Sequence, residues 1–307
     1  MLPVGPIRSK LVAGENEMID ARTELYGVIG NPVHHSLSPA IHNRAFKQLG
    51  WNAVYLAFEV KDLEEAMKGI RGLGVKGVSV TIPFKAEIVP LLDKVEGLAR
   101  KIGAVNTIVN QGGKLIGYNT DSDGALRALE GKMNLRGRKI VLLGAGGAAR
   151  AIGFGLKEKD CHLIIVNRSK KRGEGLSRGL GCDYLPLSSL DKMKAEELEA
   201  DVIINATSLG MYPRGGETPI PKGLLKRGMT VMDVVYQPLW TRLLREAKER
   251  GCVTVNGLEM LVRQAAAQFE IWTGRRLEVG QIKRDLLRTL RGEPTKPRSV
   301  GLKEGKG

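Results

Sequence analysis

Apolar residues fall in short runs separated by amphipathic stretches, and the two kinds alternate along most of the chain. Apolar runs bounded by turn residues predict strands over 25–30, 53–60 and 75–82. Helical spacing predicts helices over 39–50 and from the capping residue Asp62 toward Gly72, with more helix across 85–101. Residues 104–109 and 114–118 read as a hairpin around Gly112-Gly113. A second series starts at Lys139, with a strand through Ile140, Val141, Leu142 and Leu143, a glycine-rich turn, a helix, and a strand over 163–166. Strands follow over 201–205 and 230–235, then helices over 258–272 and 279–290 with no new strand. Such alternation predicts an α/β fold. Because the glycine turn begins only at Gly144, the structured residues before it must form a domain of their own.

The turn reads Gly144-Ala145-Gly146-Gly147-Ala148-Ala149. Its first glycine permits a sharp reversal, Gly146 lets backbone amides approach a pyrophosphate, and small Ala149 lets the helix pack on its strand. A structural turn alone would need one glycine, so this segment is read as the phosphate loop of a Rossmann-type domain with a parallel sheet. The next strand ends at Asn167-Arg168-Ser169, followed by Lys170, Lys171 and Arg172, with no carboxylate at the tip. A free ribose 2′-hydroxyl is usually gripped there by an acid, whereas a 2′-phosphate calls for guanidinium and amide donors. The pattern favours NADP over NAD, although Lys170 to Arg172 serve equally well as the solvated first turn of the next helix.

Composition narrows the class. The 307 residues suffice for two domains, and 42% hydrophobic with 26% charged residues is the balance of a soluble globular protein. No apolar run is long enough to span a bilayer, and Pro3, Pro6, Arg8, Lys10, Glu15, Glu17 and Asp20 break up the first residues, so neither membrane nor signal peptide is expected and the location is cytoplasmic. Cys161, Cys182 and Cys252 form no C-x-x-C pair, and His34, His35, His42 and His162 lack ligand spacing, so no metal is expected. The net charge of +15 is dispersed among acids rather than gathered with aromatics, which argues against a nucleic-acid partner. A flexible leader over 1–22 and a disordered basic tail over 291–307 are expected.

Several polar residues stand at predicted strand ends. Ser36 and Ser38 precede the helix at Pro39; one hydroxyl is explained as a cap, and two exceed that need. Lys85 emerges where the 75–82 strand stops at Pro83, a place for either a solvated or a catalytic lysine. Asn106 interrupts an apolar run, and Asp121 either closes the next or caps a helix starting near Asp123. Open α/β sheets bind ligands beyond the carboxyl ends of their strands, so a lysine, an amide and a carboxylate converging there would suit one small polyol. Thr207 and Ser208 follow a nucleotide-domain strand and either line a cofactor or cap a helix. Tyr236 and Gln264 are polar in apolar surroundings and need partners.

Taken together, Ser36-Leu37-Ser38-Pro39, Thr81-Ile82-Pro83-Phe84-Lys85, Gly103-Ala104-Val105-Asn106-Thr107, Asn119-Thr120-Asp121, the glycine turn, Asn167-Arg168-Ser169, Asn205-Ala206-Thr207-Ser208, Tyr236 and Gln264 make the chain resemble the shikimate dehydrogenase family over nearly all of 25–290. The resemblance implies NADPH-dependent, reversible reduction of 3-dehydroshikimate to shikimate, a step in aromatic amino-acid biosynthesis. It implies a discontinuous substrate domain, 23–122 completed by 258–290, around an NADP-binding domain over 123–257. By the same resemblance Ser36, Ser38 and Tyr236 would hold the substrate carboxylate, and Thr81, Asn106 and Gln264 would contact ring hydroxyls or support the site. Lys85 and Asp121 would form the catalytic pair and also touch substrate. Gly144, Ala145, Gly146, Gly147, Ala148, Asn167, Arg168, Ser169, Arg172 and Thr207 would bind NADP, with Val234 and Gly257 near the nicotinamide. The expected partner is the small-molecule substrate, and a homodimer stays open. An NAD-preferring quinate dehydrogenase fits the acid-free tip poorly, the Ser-Leu-Ser-Pro and Asn-Thr-Asp runs fit methylenetetrahydrofolate dehydrogenase poorly, and fold alone does not exclude a non-enzymatic NADP sensor.

Overall fold

The computed structural model describes residues 19–290. The expected leader up to residue 18 and the expected tail over 291–307 lie outside the described residues. The first half contains β1 (Glu24–Gly30), α1 (Ser38–Gln48), β2 (Ala53–Glu59), α2 (Leu63–Gly72), β3 (Gly77–Val80), β4 (Lys94–Val95), α3 (Gly97–Ile102), β5 (Thr107–Gln111) and β6 (Lys114–Tyr118). Its sheet runs β2-β1-β3-β5-β6-β4. Strands β2, β1 and β3 are parallel, while β5 is antiparallel to both β3 and β6. That reversal gathers side chains. It brings the start of β5 to the same sheet edge as the ends of β1, β3 and β6, as the pairing of Ser79 with Thr107 and of Thr107 with Tyr118 shows.

The second half contains β7 (Lys139–Leu143), α5 (Gly147–Lys157), β8 (His162–Asn167), α6 (Lys170–Leu180), β9 (Asp183–Pro186), α7 (Ala195–Leu198), β10 (Val202–Asn205), β11 (Thr230–Asp233), α8 (Arg242–Glu249) and β12 (Val253–Val255). All six strands are parallel, in the order β12-β11-β10-β7-β8-β9. The order reverses between β7 and β10, the crevice where such sheets take ligands. Side chains alternate across this sheet as strand geometry demands: Ile140 and Leu142 enter one core, Val141 and Leu143 the other.

Helix α4 (Asp121–Glu130) joins the two sheets, and α9 (Gly257–Thr273) returns to pack on α4, α1 and β5, with α10 (Val279–Leu290) beside it. The expected domain junction at 122–123 therefore lies inside a helix. Small residues let α4 sit close on both sides. A Cβ at Gly124 would lie 2.9 Å from that of Gln264 in α9, and one at Gly155 of α5 would lie 2.1 Å from Ser122 Oγ.

Three expectations need correction. Helix across 85–101 is confined to a short turn and α3, because the Asp93 and Glu96 amides bond to Leu115 and Gly117 carbonyls at the β6 edge, and Pro90 interrupts the stretch. Three short edge strands, β4, β9 and β12, add to the expected set. Asn106 does not interrupt a strand but precedes β5. Asp62 caps α2 as expected, accepting from the Glu65 amide at 3.0 Å. Among the described residues no helix is long and apolar enough to cross a membrane.

The tight α4–α5 crossing predicts that Gly155→Val, which must also displace Leu126, destabilises the chain by about 1–3 kcal/mol through overpacking. Equilibrium urea unfolding measures this, and an unchanged midpoint would contradict the crossing.

Candidate active site

Two groups of polar side chains meet at the shared edge of the first sheet. The loop after β3 is anchored by the Thr81 amide on the Ile29 carbonyl at 3.0 Å and by the Val105 amide on the Lys85 carbonyl at 2.7 Å. These bonds place the Lys85 ammonium 2.5 Å from Asp121 Oδ2, with both side chains largely removed from solvent. Asp121 is the first residue of α4, so its carboxylate also lies at the positive end of the helix dipole. It does not cap a later turn. Its amide is instead held by Asn119 Oδ1 at 3.0 Å, and Asn119 Nδ2 donates to the Ala104 carbonyl at 2.9 Å.

Asn106 completes this group. Its Nδ2 donates to Asp121 Oδ1 at 2.9 Å, to Thr120 Oγ1 at 3.0 Å and to Gln264 Oε1 at 3.3 Å, while Oδ1 accepts from the Thr120 amide at 2.8 Å. The amide orientation is over-determined from behind by residues that sequence reasoning missed. Tyr55 donates to Ser79 at 2.6 Å, and Ser79 donates to Gln268 Oε1 at 2.9 Å. Gln268 Nε2 then donates to the Asn106 carbonyl and Thr107 Oγ1, both at 3.0 Å, and Thr107 donates to Asn106 Oδ1 at 2.7 Å. All of these groups are buried, where an unpaired polar atom is costly, so each donor fixes the next. The only sequence signal was polar residues inside apolar runs.

Ser36 and Ser38 form the second group. The capping position of α1 is Leu37, with no side-chain cap; Ser36 Oγ accepts from the Ser38 amide at 3.3 Å. Tyr236, arriving from beyond β11, hydrogen-bonds the backbone at Leu37, and burial pushes its phenol above the ordinary tyrosine range. Thr81 follows β3 at this edge, Gln264 reaches Asn106 from α9, and Tyr236 reaches the Ser36–Ser38 loop from the second half.

The glycine turn faces them. Gly144 has φ +117°, a conformation that other residues rarely adopt, and its Cα approaches so closely that a Cβ would lie 2.9 Å from the Ala206 carbonyl, across the β7/β10 crevice. Gly146 caps α5, and a Cβ there would point into open space, leaving a cradle for an anion at the helix N-terminus. Gly147 lies against the same edge, where a Cβ would sit 3.3 Å from that of Lys85. Arg168, Ser169 and Arg172 are exposed at the β8 tip beside Asn167, and α6 opens at Lys170 directly after Ser169. Lys170 to Arg172 are thus the first turn of a helix at the place where a 2′-phosphate would lie. A glycine cradle, amide and guanidinium donors at the tip and no acid there fit a phosphorylated dinucleotide.

No helix follows Thr207 and Ser208, so neither is a helix cap. The Thr207 amide and hydroxyl donate to Asn205 Oδ1 at 3.0 and 2.7 Å. Asn205 Nδ2 donates at 3.0 Å to Asp233 Oδ1, which also takes the Val235 amide at 3.0 Å, and Thr241 donates to Asp233 Oδ2 at 2.7 Å. The buried carboxylate therefore ties together the ends of β10 and β11 and the start of α8. Gly257 abuts the same segment; a Cβ would lie 2.4 Å from the Val234 carbonyl. Among the described residues no cluster of histidine, cysteine or acidic side chains could hold a metal.

A parallel nucleotide sheet whose glycine turn faces an ammonium–carboxylate pair on a second sheet defines the class, a two-domain dinucleotide-dependent oxidoreductase. Family models agree in detail. The shikimate dehydrogenase substrate binding domain matches 28–108, the shikimate / quinate 5-dehydrogenase model matches 125–212, and the shikimate 5′-dehydrogenase C-terminal domain matches 257–287. The chain is 48% identical over 270 residues to the shikimate dehydrogenase (NADP(+)) of Thermococcus kodakarensis, covering 87% of this chain and 97% of the relative. A crystal structure of a shikimate dehydrogenase in complex with NADP+ superimposes with a TM-score of 0.83 at 41% identity, covering 89% and 97% of the two chains. That of the Thermus thermophilus enzyme in complex with NADP(H) and shikimate gives 0.79 at 37%, covering 87% and 99%. The chain belongs to the shikimate dehydrogenase family.

Burial raises the Asp233 carboxyl to about 6, outweighing its three hydrogen-bond donors. A folded-state value above the unfolded one means that ionisation costs stability, and the cost accumulates from about pH 4 to about pH 6. Asp233→Asn should therefore gain stability relative to the parent across that window, on the order of 1–3 kcal/mol. Parallel urea titrations at pH 4 and 7 measure the difference, and a constant gap would refute the assignment.

Proposed function

We propose that the protein catalyses the reversible NADPH-dependent reduction of 3-dehydroshikimate to shikimate. The observation that carries this reading is the Lys85–Asp121 pair at 2.5 Å, turned toward the glycine turn of the cofactor-binding half. In this reading the first sheet with α9 and α10 forms the substrate domain, 23–122 plus 258–290, and 123–257 holds the cofactor. The small-molecule substrate is the partner, and the location is cytoplasmic.

Bound NADPH supplies the hydride. As hydride reaches the carbonyl carbon, negative charge grows on oxygen, and the Lys85 ammonium stabilises that charge and delivers the proton. Asp121 holds Lys85 through Oδ2, while Asn106 occupies Oδ1 and keeps the carboxylate from turning away. Ser36, Ser38 and Tyr236 supply hydroxyls for the substrate carboxylate. Thr81, Asn106 and Gln264 supply ring-hydroxyl contacts. Gly144, whose own amide is bonded to the Val166 carbonyl, shapes the turn from which Ala145 to Ala148 present amides to the pyrophosphate, and Asn167, Arg168, Ser169 and Arg172 face the 2′-phosphate. Thr207, Val234 and Gly257 border the nicotinamide.

Assaying shikimate and quinate with NADP and NAD tests the whole reading; turnover with shikimate and NADP should predominate, and turnover with quinate and NAD alone would replace it. Lys85→Ala should lose about 10²- to 10⁴-fold in kcat while substrate affinity stays within roughly tenfold, and undiminished turnover would remove Lys85 from the chemistry. Arg168→Ala should weaken NADPH and leave NADH unaffected, lowering the preference about tenfold or more, the scale of one charge-assisted contact. An unaltered NADPH-to-NADH ratio would reassign the 2′-phosphate site.

A further inference from the structure

One side chain of the nucleotide half grips the backbone that shapes the catalytic edge. Arg150 lies at the end of the first turn of α5, where its amide closes that turn on the Gly146 carbonyl at 2.9 Å. Its guanidinium reaches across the seam, and Nε donates to the Ile102 carbonyl at 2.7 Å, at the C-terminus of α3. A cation there satisfies an end carbonyl and meets the negative pole of the helix. The next residue, Gly103, has φ +67°, and a Cβ on it would lie 3.2 Å from Arg150 Nη2. Ile102, Ala104 and Ala151 form a small buried apolar contact around the same spot, with Leu98 and Phe154 packed against it.

The gripped segment is also the scaffold of the acid. The Ala104 carbonyl accepts Asn119, whose other end fixes the Asp121 amide; the Val105 amide holds the Lys85 carbonyl; and Asn106 follows directly. We infer that Arg150 is a positioning residue that couples occupancy of the glycine turn to the placement of Lys85 and Asp121, acting through the backbone of 102–106. An anion seated on the α5 N-terminus orders the first helical turn, hence the base of the Arg150 side chain, hence the α3 end. Coupling is reciprocal by linkage, so a ligand in the substrate site tightens the cofactor and the reverse. This rests on the proposed function for the identity of the two ligands.

The test uses the full chain with NADPH and shikimate, a pair that is already reduced and cannot turn over. Each ligand should bind the parent protein about fivefold or more tightly when the other is present, as calorimetry reads it. Arg150→Ala should bind each ligand alone within about threefold of the parent but lose this mutual effect, with kcat reduced about tenfold. Arg150→Lys, which can still donate to Ile102, should restore part of both. Hydrogen exchange gives a readout free of substrate: NADPH alone should slow exchange at the Val105 and Asn106 amides in the parent and leave it unchanged in Arg150→Ala. A purely structural Arg150 would lower the melting temperature without abolishing the mutual effect, and that result overturns the inference. So does loss of NADPH binding on its own, which would make Arg150 a phosphate ligand. Failure of the parent to bind NADPH or shikimate would instead sink the functional reading, and the inference with it.

Discussion

The structure depends on keeping one ammonium and one carboxylate together in a place with little water. Ionic groups withdrawn from solvent lose hydration, and their attraction repays the loss only with good geometry and with the remaining lone pairs occupied. Asp121 meets both conditions. One oxygen faces Lys85, the other accepts from Asn106, the amide donates to Asn119 Oδ1, and the helix behind adds its dipole. Nearly every unusual feature of the first sheet serves that arrangement, from the reversed strand β5 to the buried chain of Tyr55, Ser79, Gln268 and Thr107 that fixes the Asn106 amide. Breaking such a pair costs more than the pair contributes, because the survivor stays buried and unpaired.

The two sheets divide the work by geometry. A parallel sheet with a reversal in strand order offers a crevice lined by helix N-termini and backbone amides, suited to phosphates. A mixed sheet instead brings strand starts and strand ends to one edge, which gathers side chains of different chemistry in a small space. Neither surface performs a reduction alone. Their approach is close enough at Gly147 that a side chain would meet Lys85, so the space between them is fixed by a residue with none.

Much of this was legible in the sequence because the chemistry demands specific residue types. The glycine turn, the acid-free β8 tip, and Lys85 beyond an apolar strand each stand where a structural role needs something else. The region between Lys85 and α3 was misread because its periodicity suits a helix, yet its backbone groups are spent on β6, a long-range demand that local pattern does not carry. Strands β4, β9 and β12 escaped notice as short sheet edges with few buried side chains. Ser36 and Ser38 resembled caps, but Leu37 takes the capping position and leaves both serines uncommitted to that task. Gln268 and Asp233 were invisible as site residues because one sequence shows a polar residue in apolar company without showing its partner.

Helix α4 begins with the acidic member of the pair and is clasped by α5 on one side and α9 on the other. A pivot for any opening of the cleft therefore passes beside Asp121, where lever arms are short. Lys85 hangs from the same sheet as the loop preceding that pivot. Because Arg150 grips the Ile102 carbonyl and Gly147 lies against Lys85, swinging the nucleotide half outward would pull on the backbone that carries the pair. Departure of a ligand from the cleft and loosening of that backbone would then be one event rather than two.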